Sequence, residues 1–142
     1  MPTQMPKNGR PSWRTRCSIA ARSPSTAATP AAQLEITKDL RLPATADAST
    51  GVVYMGAQRF VHAYGSNNMF LGPFAGNFTL TGGTNVGIGY ASLDDLTSGQ
   101  QNTAIGASTL TKATTASFNV ALGPSALLDL TTGNANTAIG PG

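Results

Sequence analysis

The sequence predicts an all-β protein: a parallel β-solenoid (β-roll) of 17-residue coils, with an N-terminal β cap and a disordered N-terminal tail. Three observations predict it. From Asn68 onward the chain repeats every 17 residues without a slip. Within each unit the same residue types return at the same positions, as stacked coils require. Only 11% of the 142 residues are charged, against about 25% in an average soluble domain. Short polar residues and glycine fill the gap, which suits surfaces made largely of backbone.

The units read NMFLGPFAGNFTLTGGT, NVGIGYASLDDLTSGQQ, NTAIGASTLTKATTASF and NVALGPSALLDLTTGNA, followed by a partial NTAIGPG. Position 1 is always asparagine: Asn68, Asn85, Asn102, Asn119 and Asn136. Position 4 is always aliphatic (Leu71, Ile88, Ile105, Leu122, Ile139), and position 5 is always glycine (Gly72, Gly89, Gly106, Gly123, Gly140). Leucine returns at position 9 as Leu93, Leu110 and Leu127, and position 12 carries Leu96, Ala113 and Leu130. Seventeen residues are too few for a helical-pair repeat or a propeller blade. They suit one coil of two short strands and two turns.

Each column then acquires an expected role. Coils stacked at about 4.8 Å place like above like. The position-4 aliphatics are expected to form a buried spine, with Val86 and Val120 of position 2 on the same face. Position 3 (Phe70, Gly87, Ala104, Ala121, Ala138) is expected to point the other way, small enough for close packing. The glycine column turns the chain or admits a close neighbour. The asparagine column can form an amide ladder. Corners such as Thr97-Ser98-Gly99 and Thr131-Thr132-Gly133 supply the second turn.

The stack is short, reaching about 20 Å. One or two large side chains per coil contribute about 1.5–3 kcal/mol each before entropy. Oligomerisation or further coils are expected to supply the remainder. The last unit stops after seven residues, so a fragment of a longer protein is expected.

Residues 34–67 precede the repeats as a strand and cap region. Leu34, Ile36, Leu40 and Leu42 alternate with polar neighbours, the period of half-buried strands, until Pro43 ends the run. Residues 51–67 resemble a divergent first coil, with Val52-Val-Tyr-Met-Gly aligned on the repeat motif. Six of the nine aromatic residues fall between Tyr54 and Phe78, as a hydrophobic cap would require.

Residues 1–33 hold five of the nine prolines and no periodicity, and are expected to be disordered. They share an acid-free, Arg/Ser/Ala-rich composition with organellar transit peptides, although a disordered leader or a start-site artefact accounts for it more simply. Lys7, Arg10, Arg14, Arg16 and Arg22 give the chain its net charge of +3. From Leu34 onward four bases face six acids, a net charge of −2. No basic face for nucleic acid is expected on the folded part. No apolar run approaches the ~18 residues of a membrane span. No secretory signal is evident.

The Asn-[Thr/Val]-Ala-[Ile/Leu]-Gly motif, with its Leu/Thr/Gly corners, resembles the head repeats of trimeric autotransporter adhesins. It is also similar to repeat regions of bacterial surface and phage tail-fibre-like proteins, which often end in a self-cleaving endosialidase-type chaperone not found among these residues. The stretch from Leu40 to Asn85 is similar to the segment preceding such repeats. The resemblance covers about residues 34–142. It implies a homotrimer of parallel β-rolls, an extracellular, cell-surface or virion setting, a structural or adhesive role, and a host-surface or glycan ligand. The adhesin head repeat is usually shorter than 17 residues, a departure from the family pattern.

Catalysis is not expected. His62 is the single histidine and Cys17 the single cysteine, so triad and cysteine-based metal chemistry lack parts. No metal site or cofactor is expected. Gly87-Ile-Gly89 resembles a nucleotide loop only superficially, because no helix follows it. Asp95, Lys112 and Asp129 share position 11 and are expected to alternate in charge as a ladder. Asn77-Phe78-Thr79 is a formal glycosylation sequon, without meaning in a bacterial protein. The alternative function is a carbohydrate-binding or carbohydrate-processing fibre domain, which would need exposed aromatics or paired carboxylates. An ice-binding face is less favoured, because the threonine pairs are adjacent rather than alternating.

Overall fold

The computed structural model describes residues 40–142. The expected tail and the start of the expected strand, through residue 39, lie outside the described residues. The fold is all-β, a solenoid with no helix among the described residues. One seven-stranded sheet runs in chain order: β1 (Val53–Met55), β2 (Gln58–His62), β3 (Met69–Leu71), β4 (Val86–Ile88), β5 (Thr103–Ile105), β6 (Val120–Leu122) and β7 (Thr137–Ile139).

From β3 to β7 every pairing is parallel. Met69 faces Val86, which faces Thr103, then Val120, then Thr137, so each step advances one repeat. The strands occupy positions 2 to 4, and the rest of each coil is turn and bend. The chain leaves the strand at position 5, where every glycine has a φ between 125° and 136°. A side chain there is excluded twice over: by that φ, and by the coil above. A β-carbon on Gly72 would lie 2.7 Å from the Gly89 carbonyl oxygen.

Non-glycine residues also take left-handed corners, in phase with the repeat. Position 7 does so at Phe74, Ala91, Ser108 and Ser125; position 9 at Leu93, Leu110 and Leu127; position 17 at Thr84, Gln101, Phe118 and Ala135. Left-handed backbone disfavours such residues by about 1–2 kcal/mol each. They hold it because hydrogen bonds between coils fix the backbone, among them Ala91 N–H to Pro73 O at 2.9 Å and Ser108 N–H to Tyr90 O at 2.7 Å.

The inside of the coil is the reverse of the expected one. Position 3 faces the core: Phe70, Ala104 and Ala121 are fully buried. Leu93, Leu96 and Leu110 meet them from the opposite wall, with Leu80, Ala113 and Ala116. Position 4 faces outward. Ile105 is 41% exposed, and Leu71, Ile88 and Leu122 are half-buried. The reason is volume. From the second coil on, the position-9 and position-12 side chains fill the narrow interior and the strand sends in only small residues, whereas the first coil, with Gly76 at position 9, admits Phe70.

The cap also departs from expectation. Residues 53–62 are not a first coil but a hairpin, β1 antiparallel to β2 and β2 antiparallel to β3. A two-residue turn joins its strands between Met55 and Gln58, with Gly56 left-handed at φ 62°. The hairpin closes the sheet at the first coil, covering an edge that would otherwise be open. No strand forms at Leu40 and Leu42, which are 62% and 48% exposed.

Candidate functional site

The asparagine column lies inside the coil. Asn85, Asn102 and Asn119 are fully buried, and Asn68 nearly so. Each amide nitrogen donates to the Oδ1 of the asparagine one coil earlier, at 3.1 Å from Asn85 to Asn68 and 3.0 Å from both Asn102 to Asn85 and Asn119 to Asn102. Asn136 repeats the contact to Asn119 at 2.9 Å. The same Oδ1 atoms accept the next asparagine's backbone N–H. Each Nδ2 from Asn68 to Asn119 also donates to the position-15 carbonyl of its own coil, at Gly82, Gly99, Ala116 and Gly133. A buried primary amide is tolerable only when satisfied, and these are. Their work is to bind coil to coil; they are not open to a ligand.

Two surfaces are open. The first is the outer face of the sheet. Register places Val53, Val61 and Leu71 in one row, continued by Ile88, Ile105, Leu122 and Ile139. Every strand therefore contributes one aliphatic residue to an uninterrupted stripe. A second row beside it holds Met69, Val86, Thr103, Val120 and Thr137. Met69, Ile105, Val120 and Ile139 of these rows are exposed among the described residues, and contiguous apolar surface of this kind marks an interaction site.

The second surface lies where the hairpin meets the first two coils. Arg59 of β2 donates from Nη2 to the Gly76 carbonyl at 2.6 Å and to Asp94 Oδ1 at 3.1 Å. Its guanidinium lies 5.6 Å from the Phe74 ring centre and 5.4 Å from that of Phe78. Phe74 in turn meets Tyr90 edge to face at 5.6 Å. Burial raises the Asp94 carboxyl above the ordinary carboxylate range, partly offset by Arg59 and reinforced by Asp95. None of these four residues stood out as a site in the sequence. A signal was present for two of them: Phe74 and Tyr90 are the aromatic residues of columns 7 and 6, which otherwise carry alanine, serine or proline.

His62 lies beneath this cluster. Buried, it packs between Phe70 at 4.9 Å and Phe78 at 4.7 Å, and Nε2 is 2.8 Å from the Ala75 carbonyl oxygen, to which it donates. Its burial, more than the nearby Arg59, lowers its affinity for a proton. It packs the cap. Of the expected charge ladder, the Lys112–Asp129 rung forms at 2.7 Å, fully at the surface. The threonine corners turn their hydroxyls onto the next coil's backbone, Thr97 to Thr114 O at 3.0 Å and Thr114 to Thr131 O at 3.2 Å.

Among the described residues no group of three or more His, Cys, Asp or Glu side chains could hold a metal, and no helix is long and apolar enough to cross a membrane. No protein-family model, curated protein or solved structure matches the chain.

Proposed function

We propose that this chain is a structural rod segment of a cell-surface adhesin or phage tail-fibre-like protein, non-catalytic, displayed outside the cell or on a virion and assembled as a homotrimer. The observation that carries the reading is the aliphatic row from Val53 to Ile139, which crosses all seven strands on the outer face of the sheet, exposed at Ile105 and Ile139 and half-buried elsewhere. A rod needs regular repetition, and the coils repeat in register. It also needs stability that one thin coil stack lacks. Closed symmetry lets identical stripes bury one another, and a three-fold axis parallel to the stack lets every coil of each chain take part. Surface display and adhesion enter through the resemblance of the repeat motif to adhesin heads. The non-catalytic reading rests on the low charge of the chain and on the asparagine, aliphatic and glycine columns of positions 1, 4 and 5, which hold in every coil.

The deciding measurement is the mass of the full chain in solution, by light scattering after gel filtration. A trimer supports the assembly. A well-folded monomer at every concentration tested leaves the solenoid intact and refutes the assembly.

A further inference from the structure

We propose that the β1–β2 hairpin is a displaceable plug in a coil-binding site, and that the first coil, once bared, takes the β7 edge of a second copy of this chain. The inference goes beyond the rod reading and does not depend on lateral self-assembly.

Three bonds recur between each later coil and the one before it. The position-5 N–H donates to the preceding position-4 carbonyl, as Gly89 does to Leu71 at 2.8 Å. The position-17 N–H donates to the preceding position-16 carbonyl, as Gln101 does to Gly83 at 3.0 Å. The asparagine Nδ2 donates to the preceding Oδ1, as Asn102 does to Asn85 at 3.0 Å.

At the first coil the cap supplies all three acceptors. Gly72 N–H donates to Phe60 O at 2.8 Å, Thr84 N–H to Ser66 O at 2.9 Å, and Asn68 Nδ2 to Tyr64 O at 2.9 Å. Yet β2 runs antiparallel to β3, so the segment from Phe60 to Ser66 imitates the edge of a coil without being one. What imitates a coil occupies a site shaped for a coil. The plug is also lightly held on its outer side, where Tyr54 is 45% and Met55 60% exposed. A two-stranded hairpin is marginal by itself, and poorly buried elements open first.

The matching surface is the other edge of the sheet, β7. Its Thr-Ala-Ile repeats that of β5, which takes β6 in parallel. Thr137 N–H has the place of Val120 N–H, which donates to Asn136 O at 2.8 Å, and Asn136 Oδ1 that of Asn119 Oδ1, which accepts from Asn136 Nδ2 at 2.9 Å. Laid on a bared first coil, Thr137 N–H would meet the Asn68 carbonyl, the Ile139 carbonyl the Gly72 N–H, and Asn136 Oδ1 the Asn68 Nδ2. The contact is heterologous and does not close, so it joins solenoids end to end.

The test opens the plug in the full chain. Gly56 sits in the hairpin turn at φ 62°, with open space where a β-carbon would go. Proline there imposes a φ of about −65° and breaks the turn without touching a coil. Amide exchange in Gly56→Pro should lose protection at Gly72 and Thr84 and keep it at Gly123. By light scattering the parent should hold one mass, because lateral assembly closes at a fixed number of copies. The mass of Gly56→Pro should roughly double or more as concentration rises. Adding Thr137→Pro, which removes the edge N–H, should restore the parent's mass. The proposal is overturned if Gly72 and Thr84 stay protected, because the plug is then not displaceable. It is equally overturned if Gly123 loses protection as well, if the mass stays that of the parent, or if growth survives Thr137→Pro.

Discussion

Phe70 occupies the space that a side chain on Gly76 would need: a β-carbon there would come within 2.5 Å of the Phe70 ring. Later coils make the opposite choice. They place glycine or alanine at position 3 (Gly87, Ala104, Ala121) and leucine at position 9 (Leu93, Leu110, Leu127). One interior volume is filled from the strand in the first coil and from the turn in the others. The large ring also suits its neighbour, since Phe70 stacks on the cap's His62.

Exchanging the two choices should therefore be tolerated only as a pair. Gly76→Leu alone overpacks the first coil and should cost about 1–3 kcal/mol. Phe70→Ala alone leaves a cavity and should cost about 3–5 kcal/mol. The double variant restores the pattern of the later coils and should be more stable than the sum of the two losses predicts. Thermal melts of the three variants check this, and strict additivity would contradict shared volume.

Neighbouring residues on β5 separate inside from outside. Ala104 is fully buried and Ile105 is 41% exposed. Ala104→Asp places an unpaired charge in the core and should cost about 4 kcal/mol or more, seen as loss of protease resistance. Ile105→Asp should leave the monomer folded and abolish self-association in light scattering. Collapse of the Ile105 variant to an unfolded chain would contradict the outward assignment.

Asn102 joins three coils. Its Nδ2 donates to Asn85 Oδ1 at 3.0 Å and Ala116 O at 2.8 Å, while its Oδ1 accepts from Asn119 N at 3.1 Å and Asn119 Nδ2 at 3.0 Å. Asn102→Ala strands the Ala116 carbonyl and the Asn119 N–H in the interior. At about 1–3 kcal/mol for each unsatisfied buried group, a loss of about 2–6 kcal/mol is expected in denaturant melts.

Ser92 presents the opposite case. Its hydroxyl is buried without a partner, whereas Thr109 at the same position of the next coil bonds the Gly123 carbonyl at 2.7 Å. Position 8 elsewhere is Ala75 and Ala126. Ser92→Ala removes an unsatisfied group and should stabilise by about 1 kcal/mol, measured as a higher melting temperature.

Acid should loosen the cap through His62. Its folded-state proton affinity is depressed, chiefly by burial. The unfolded chain takes up a proton below its ordinary value of about 6.5, while the folded chain resists doing so until lower pH. The stabilisation is thus complete above that value and is lost as pH falls through the folded pKa. Protonation would also aim an Nδ1–H at the Tyr64 N–H, which lies 3.4 Å from that nitrogen. Asp94, whose proton affinity is raised, acts with the opposite sign and at lower pH. Melting temperatures at pH 7.5 and 5 should differ in the parent, and His62→Phe should flatten the difference.

The sequence by itself determined the period, and with it the register of β3 to β7, because identical residues every 17 positions stack only in phase. It also determined the glycine corner and the asparagine column, whose residue types are demanded by one backbone angle and by one hydrogen-bond pattern. It did not determine which side of the strand was inside. Positions 3 and 4 are both apolar, and alternation says that they part without saying which way each turns. That choice depends on Leu93, Leu96 and Leu110, which enter from the far wall and leave room only for small side chains opposite. Left-handed leucines were likewise hidden, since hydrogen bonds between coils impose that backbone against local preference. The Arg59–Asp94 pair, 35 residues apart, exists only because the hairpin lies against the first two coils, a distance in sequence that no local pattern reports.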